Sequence, residues 1–108
     1  MYAWHDMVYQ VFAEICYDKE YVYAGFLKTF NQLSARIYSD GGVFESGSVT
    51  APGIKSDYNA VFSFALSKRV SFMGSNEFLL SYQIINKFTG EIKRSEDQSF
   101  DVSTGEAI

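Results

Sequence analysis

A chain of 108 residues, 47% hydrophobic and 18% aromatic, has the size of one domain and enough apolar side chains for a core without metal or disulfide staples. Its thirteen acidic residues outnumber nine basic ones, for a formal charge of −4, which disfavours sequence-independent nucleic-acid binding. The single cysteine, Cys16, excludes an intrachain disulfide.

No apolar run approaches the ~18 residues that a membrane span requires. The opening MYAWHDMVYQVF lacks the positive start of a secretory signal, and Asp6 interrupts it. No membrane contact and a cytoplasmic location are the expectations.

Residues 3–17 read as a helix. Trp4, Val8, Val11, Phe12 and Ile15 form one stripe, with Asp6, Gln10 and Glu14 opposite. The segment is also rich in strand-favouring Val, Tyr, Phe and Ile, so a half-buried strand is the rival reading. Asp18 is suited to cap a second helix over residues 19–38, with Glu20 in its first turn. Val22, Phe26, Phe30, Leu33 and Ile37 make its apolar stripe, with Tyr23 and Leu27 beside it. Gly25 costs this helix about 1 kcal/mol relative to alanine, and it invites close approach of another element. Asp40-Gly41-Gly42 is the stop signal.

Then the period changes from helical to alternating. Residues 43–50 are a weak edge strand, and Ala51-Pro52-Gly53 reads as a turn within the loop-like stretch 47–57. Residues 59–73 form a strand with Phe62, Phe64 and Leu66 on one face and a kink near Ser67. Gly74-Ser75-Asn76 turns it into residues 77–87, where Phe78, Leu80, Tyr82 and Ile84 alternate. Phe88-Thr89-Gly90 leads to a last, polar strand over 91–102, anchored by Ile92, Phe100 and Val102. That strand is a solvated edge or an edge that needs a partner. Residues 103–108 read as a frayed tail.

The predicted architecture is a single α+β domain over residues 1–108. Two N-terminal helices pack on one face of a three- to four-stranded antiparallel meander. Phe26, Phe30, Leu33, Phe64, Leu80, Tyr82 and Ile84 are expected in one core.

No set of residues converges on a reaction. One histidine and one cysteine, His5 and Cys16, lie about 16 Å apart along the first helix at 1.5 Å per residue, too far to share an ion. No zinc site and no cofactor are expected. His5 is expected as a surface side chain. Cys16 sits at the edge of the apolar stripe, where a free thiol behaves as a small core residue. The carboxylate pairs Asp18/Glu20 and Glu96/Asp97 read as solvated. The glycines form no phosphate cradle, because Gly41-Gly42 leads into a strand. Lys68–Arg69 is a basic spot but no patch, since neighbours on a strand point to opposite faces.

Ten Phe and eight Tyr are more than a domain of this size readily hides. Surplus rings and an open edge suit a non-catalytic protein-interaction module. That reading is a small, acidic, homodimeric accessory or inhibitor protein of phage or bacterial type. Tyr9, Tyr23, Lys93, Arg94, Gln98 and Phe100 are its candidate interface. The alternatives are a small apolar-ligand binder with a pocket between helices and sheet, and a small enzyme with an unrecognised site.

Overall fold

A computed structural model describes residues 3–38, 46–67 and 77–108. Two helices, α1 (Ala3–Ile15) and α2 (Lys19–Ile37), precede five strands: β1 (Ser46–Pro52), β2 (Tyr58–Ser67), β3 (Glu77–Asn86), β4 (Ile92–Arg94) and β5 (Gln98–Asp101). All pairings are antiparallel, in the order β1-β2-β3-β4, with β5 also on β3. The α+β reading holds, with one strand more than expected.

Residues 3–15 are helix rather than strand, because the 3.6-residue stripe collects Trp4, Val8, Val11, Phe12 and Ile15 on one buried face. Asp18 caps α2 by accepting from the Glu20 N–H at 2.8 Å. Gly25 is where α1 comes close. A Cβ there would stand 2.6 Å from the Phe12 ring. The expected stop at Asp40-Gly41-Gly42, the turn at Gly74-Ser75-Asn76 and the Lys68–Arg69 spot lie outside the described residues.

The helices cover one face of the sheet. Ala60, Phe62 and Phe64 of β2, Phe78, Leu80 and Ile84 of β3, and Val49 and Ala51 of β1 meet the helix stripes in one cluster. Rings link the layers: Phe12 stacks over Phe62 at 6.4 Å, and Trp4 lies between Phe30 and the edge of Phe78. Phe30 and Tyr82, expected in the core, are half-buried at its rim. Phe30 lies along the α1–α2 seam rather than under it, against His5 and Trp4.

Three expectations about loops are corrected. First, Ala51 and Pro52 are strand, not turn, because the expected edge strand runs on through the loop-like stretch to Pro52 as β1. Pro52 is the last residue of β1, opposite Asn59, on an edge where its missing N–H costs nothing. Second, the single last strand over 91–102 is two. Arg94 pairs Gln83 and Gln98 pairs Leu80, so Ser95, Glu96 and Asp97 oppose only Ser81 and Tyr82. The extra residue is a β-bulge. Ser95 spans it, donating its N–H to the Tyr82 carbonyl at 2.9 Å and accepting the Tyr82 N–H on Oγ at 2.8 Å.

Third, residues 103–108 are not frayed. The Asp101 carboxylate accepts from the Ser103 and Thr104 N–H groups, and Gly105 follows at φ +70°. The chain then folds back on β5: the Asp101 N–H donates to Glu106 and the Ile108 N–H to the Ser99 carbonyl, with Phe100 bridged to Ala107.

Candidate interaction surfaces

The six residues picked from sequence scatter over three surfaces and the core. Tyr9 and Tyr23 lie on the outer side of the helix hairpin. Tyr9 sets its ring edge-on against Phe26 at 5.3 Å, while Tyr23 is 61% exposed, with Leu27 one turn on. Lys93 points to the helix side of the sheet and approaches Glu14 at 3.5 Å. Both side chains are exposed, so the pair adds little to stability. Arg94 points to the opposite face. Gln98 lines a groove beside α1. Phe100 is a correction. It is 1% exposed and stacked on Phe78 at 5.5 Å, so it is core and has no free surface to offer.

The groove holds about 480 Å³ between α1 and the bulge. Asp6, Gln10 and Glu14 of α1 line one wall, and Glu96, Asp97 and Gln98 line the other. The bulge pushes Ser95–Asp97 out as the lip. Among the described residues no three His, Cys, Asp or Glu side chains are placed to hold a metal ion. The walls carry like charge and attract cationic groups only diffusely.

The sheet face away from the helices is uncovered by any described residue. Register fixes its members, because directly opposed residues share a face and neighbours in a strand alternate. Thr50, Val61, Gln83 and Arg94 form one row across the sheet. Ser48, Ser63 and Ser81 form the next, then Ser46, Ala65, Leu79 and Ser99, then Glu77 and Asp101. Beyond Arg94 a further row holds Pro52, Asn59, Ile85 and Ile92. Leu79 and Ile92 are exposed, and Val61, Ala65 and Ile85 are half-buried.

This face was missed in the sequence, although β3 carries its signal. Leu79 stands next to Leu80 and Ile85 next to Ile84. Such adjacent aliphatic pairs break strict alternation and place apolar groups on both faces of a strand.

The sheet edges are better protected than the face. Arg36 reaches from α2 to donate to the Ser48 carbonyl of β1 at 2.7 Å, with its guanidinium 4.9 Å from the centre of the Phe64 ring. Pro52 removes a donor from the same edge. On the other side the folded-back tail uses the outward N–H of Asp101 and carbonyl of Ser99. By alternation, Gln98 turns its N–H to β3. A proline at Gln98 would therefore break the ladder inside the sheet rather than a contact with a partner.

His5 and Cys16 both pack against apolar neighbours. His5 is half-buried, not a free surface group. Its ring lies 3.9 Å from Phe30 and 4.4 Å from Trp4, edge-on to both. Burial holds its pKa below the ordinary 6.5. The N-terminal amine lowers it further, and Asp6 opposes both. The unfolded chain then takes up this proton before the folded one does. Stability contributed by the neutral ring is present above the ordinary histidine value and falls as pH drops through it. Urea midpoints taken at about pH 8 and about pH 5 should differ less in His5→Phe than in the wild type. An identical difference in both would refute the assignment. Cys16 packs against the core, and burial pushes its thiol up, with Lys87 only partly opposing. A raised thiol is a poor nucleophile.

Among the described residues, no helix is long and apolar enough to cross a membrane. No protein family, curated protein or solved structure matches this chain.

Proposed function

We propose that this chain is a non-catalytic protein-interaction module and that the uncovered sheet face is its binding surface. The observation that carries the reading is the aliphatic content of that face. Val61, Leu79, Ile85 and Ile92 sit on the side of the sheet that the helices do not cover. Four aliphatic side chains gathered on one uncovered sheet face suit a docking surface, which gains affinity by burying them. The serines among them are small enough to let a partner lie close.

The expected interface shifts accordingly. Arg94 keeps a place in it, at the corner of the face. Tyr9 and Tyr23 lie apart from it on the outer side of the helix hairpin, and the folded-back tail occupies the β5 part of the polar edge.

Leu79→Lys combined with Ile92→Lys tests the assignment. Both side chains are exposed, so the double variant should stay within about 1 kcal/mol of wild-type stability, about 0.5 kcal/mol for each substitution. It should lose association, measured as sedimentation of the purified protein and as capture of partners from its source cells. A variant that is equally stable and associates as the wild type does would refute the face as a binding surface.

A further inference from the structure

We infer that the occupant of the open sheet face is a second copy of this chain, packed face to face about a two-fold axis running across the strands. This inference rests on the interaction reading above and names its partner.

Charge sets the arrangement. Among the described residues of this face, Arg94 is the cation and Glu77 and Asp101 are the anions. They stand apart along the strands: Arg94 in one row, Glu77 and Asp101 three rows further along. A two-fold axis across the strands reverses the row order of the second copy. Placed midway between those rows, it lays Arg94 of each copy over Glu77 and Asp101 of the other. Both contacts form at once, as an isologous interface requires. An axis along the strands keeps each residue in its own row and never brings these charges together.

The same axis passes between the row of Ser48, Ser63 and Ser81 and the row of Ser46, Ala65, Leu79 and Ser99. Small side chains therefore occupy the centre, where two sheets must approach within about 10 Å. The two Leu79 side chains fall on either side of the axis, one row apart, as its apolar contact.

β2 and β3 are ten residues long, and the sheet is four strands wide. The axis overlaps the four rows from Arg94 to Glu77 and leaves Ile85 and Ile92 at the margin. Each copy therefore contributes roughly 500 Å² at ordinary strand rise and spacing. That is less than the ~800 Å² per partner of a standard interface, and the dimer is expected to be weak. Pairing through an edge is the competing route to a dimer. Arg36, Pro52 and the folded-back tail restrict it.

Charge reversal tests the arrangement, read by sedimentation velocity over a concentration series. The wild type should dimerise. Arg94→Glu alone and Glu77→Arg alone each place like charges together and should weaken dimerisation at least about tenfold. An equimolar mixture of the two variants should recover it in part, because the unaltered Arg94 again meets Glu77 and Asp101, while the reversed position 94 meets the reversed position 77 beside an unchanged Asp101. Single variants that dimerise like the wild type, or a mixture that stays monomeric, would overturn the arrangement. Should Glu77→Arg lose its thermal midpoint, Leu79→Cys in a Cys16→Ser background replaces it. One row of offset and the sheet spacing leave the two positions roughly 12 Å apart, too far for a disulfide. A bis-maleimide of that span should therefore link the dimer, and no linked dimer would count against the axis. A wild type that stays monomeric while Leu79→Lys with Ile92→Lys abolishes capture of another protein would overturn the second copy and leave the interaction reading standing. Monomer with no such capture would remove both.

Discussion

Replacing Trp4 with alanine should lower the unfolding free energy by about 3–5 kcal/mol, the cost of deleting a large buried ring. Trp4 is fully buried in the first turns of α1. It stacks on Phe30 of α2 at 5.3 Å and meets the edge of Phe78 of β3 at 6.0 Å. One side chain thus ties both helices to the sheet, and its removal leaves a cavity where three elements meet. The indole Nε1 has no hydrogen-bond partner among the described residues. Losing that buried donor offsets part of the cost. Trp4→Phe should therefore be much milder than Trp4→Ala. Urea unfolding followed by circular dichroism reads both variants. A midpoint unmoved in Trp4→Ala would remove Trp4 from the core. Phe30→Ala should cost less, because Phe30 is only half-buried.

Gly53→Ala should cost about 1–3 kcal/mol, the usual penalty of forcing atoms into filled space. Gly53 is buried and closes the connection from β1 to β2. Its N–H donates to Asn59 Oδ1 at 3.2 Å, and its carbonyl accepts from Lys87 Nζ at 2.6 Å. A Cβ at this position would overlap the Tyr58 carbonyl oxygen. That obstacle is backbone and cannot swing aside as a side chain can. Conformation is not the reason, since Gly53 is not among the glycines at positive φ. Gly90 is the control. It has φ +73°, and a methyl group there would meet nothing within 4 Å, so Gly90→Ala should cost only the left-handed penalty of about 1–2 kcal/mol. Substitution of Gly53 should also release Lys87, and Gly90→Ala should not. Thermal midpoints of Gly53→Ala and Gly53→Val, with Gly90→Ala alongside, check this. Valine at Gly53 no worse than wild type would refute the contact.

Much of the fold is legible in the residues, for reasons that differ by element. Both helices announce themselves because each buries one stripe, and Asp18 and Glu20 mark the start of the second. β2 and β3 are legible because Phe62, Phe64, Leu80 and Ile84 recur every second residue. The last part of the sheet is not. Ile92 and Phe100 are both even-numbered, so a single strand would put them on one face. The bulge at Ser95–Asp97 inserts a residue between them and sends Ile92 to the open face and Phe100 to the core. No local composition marks that slip. Pro52 misleads differently: proline suggests a turn, yet an edge strand tolerates it. The tail is held by backbone hydrogen bonds and the Asp101 clip, which leave little hydrophobic pattern.

The candidate site was less legible than the fold. Tyr and Phe surplus pointed to a surface, but most Phe rings went to the core. The open face is instead aliphatic and serine-rich, and it exists only through register. Val61, Leu79, Ile85 and Ile92 are separated by up to 31 positions along the chain, and pairing alone makes them neighbours.

The strand order has a kinetic consequence. β1, β2, β3 and β4 pair in the order in which they occur, and the β3–β4 turn is closed locally, with the Asn86 carboxamide oxygen accepting from the Phe88 and Thr89 N–H groups. Short loops cost little entropy to close, so the sheet assembles from neighbouring segments with low contact order. The joining of Trp4 to Phe78 spans far more chain and belongs late in folding. Loosening the Asn86 turn should slow refolding, whereas shaving Trp4 should chiefly hasten unfolding.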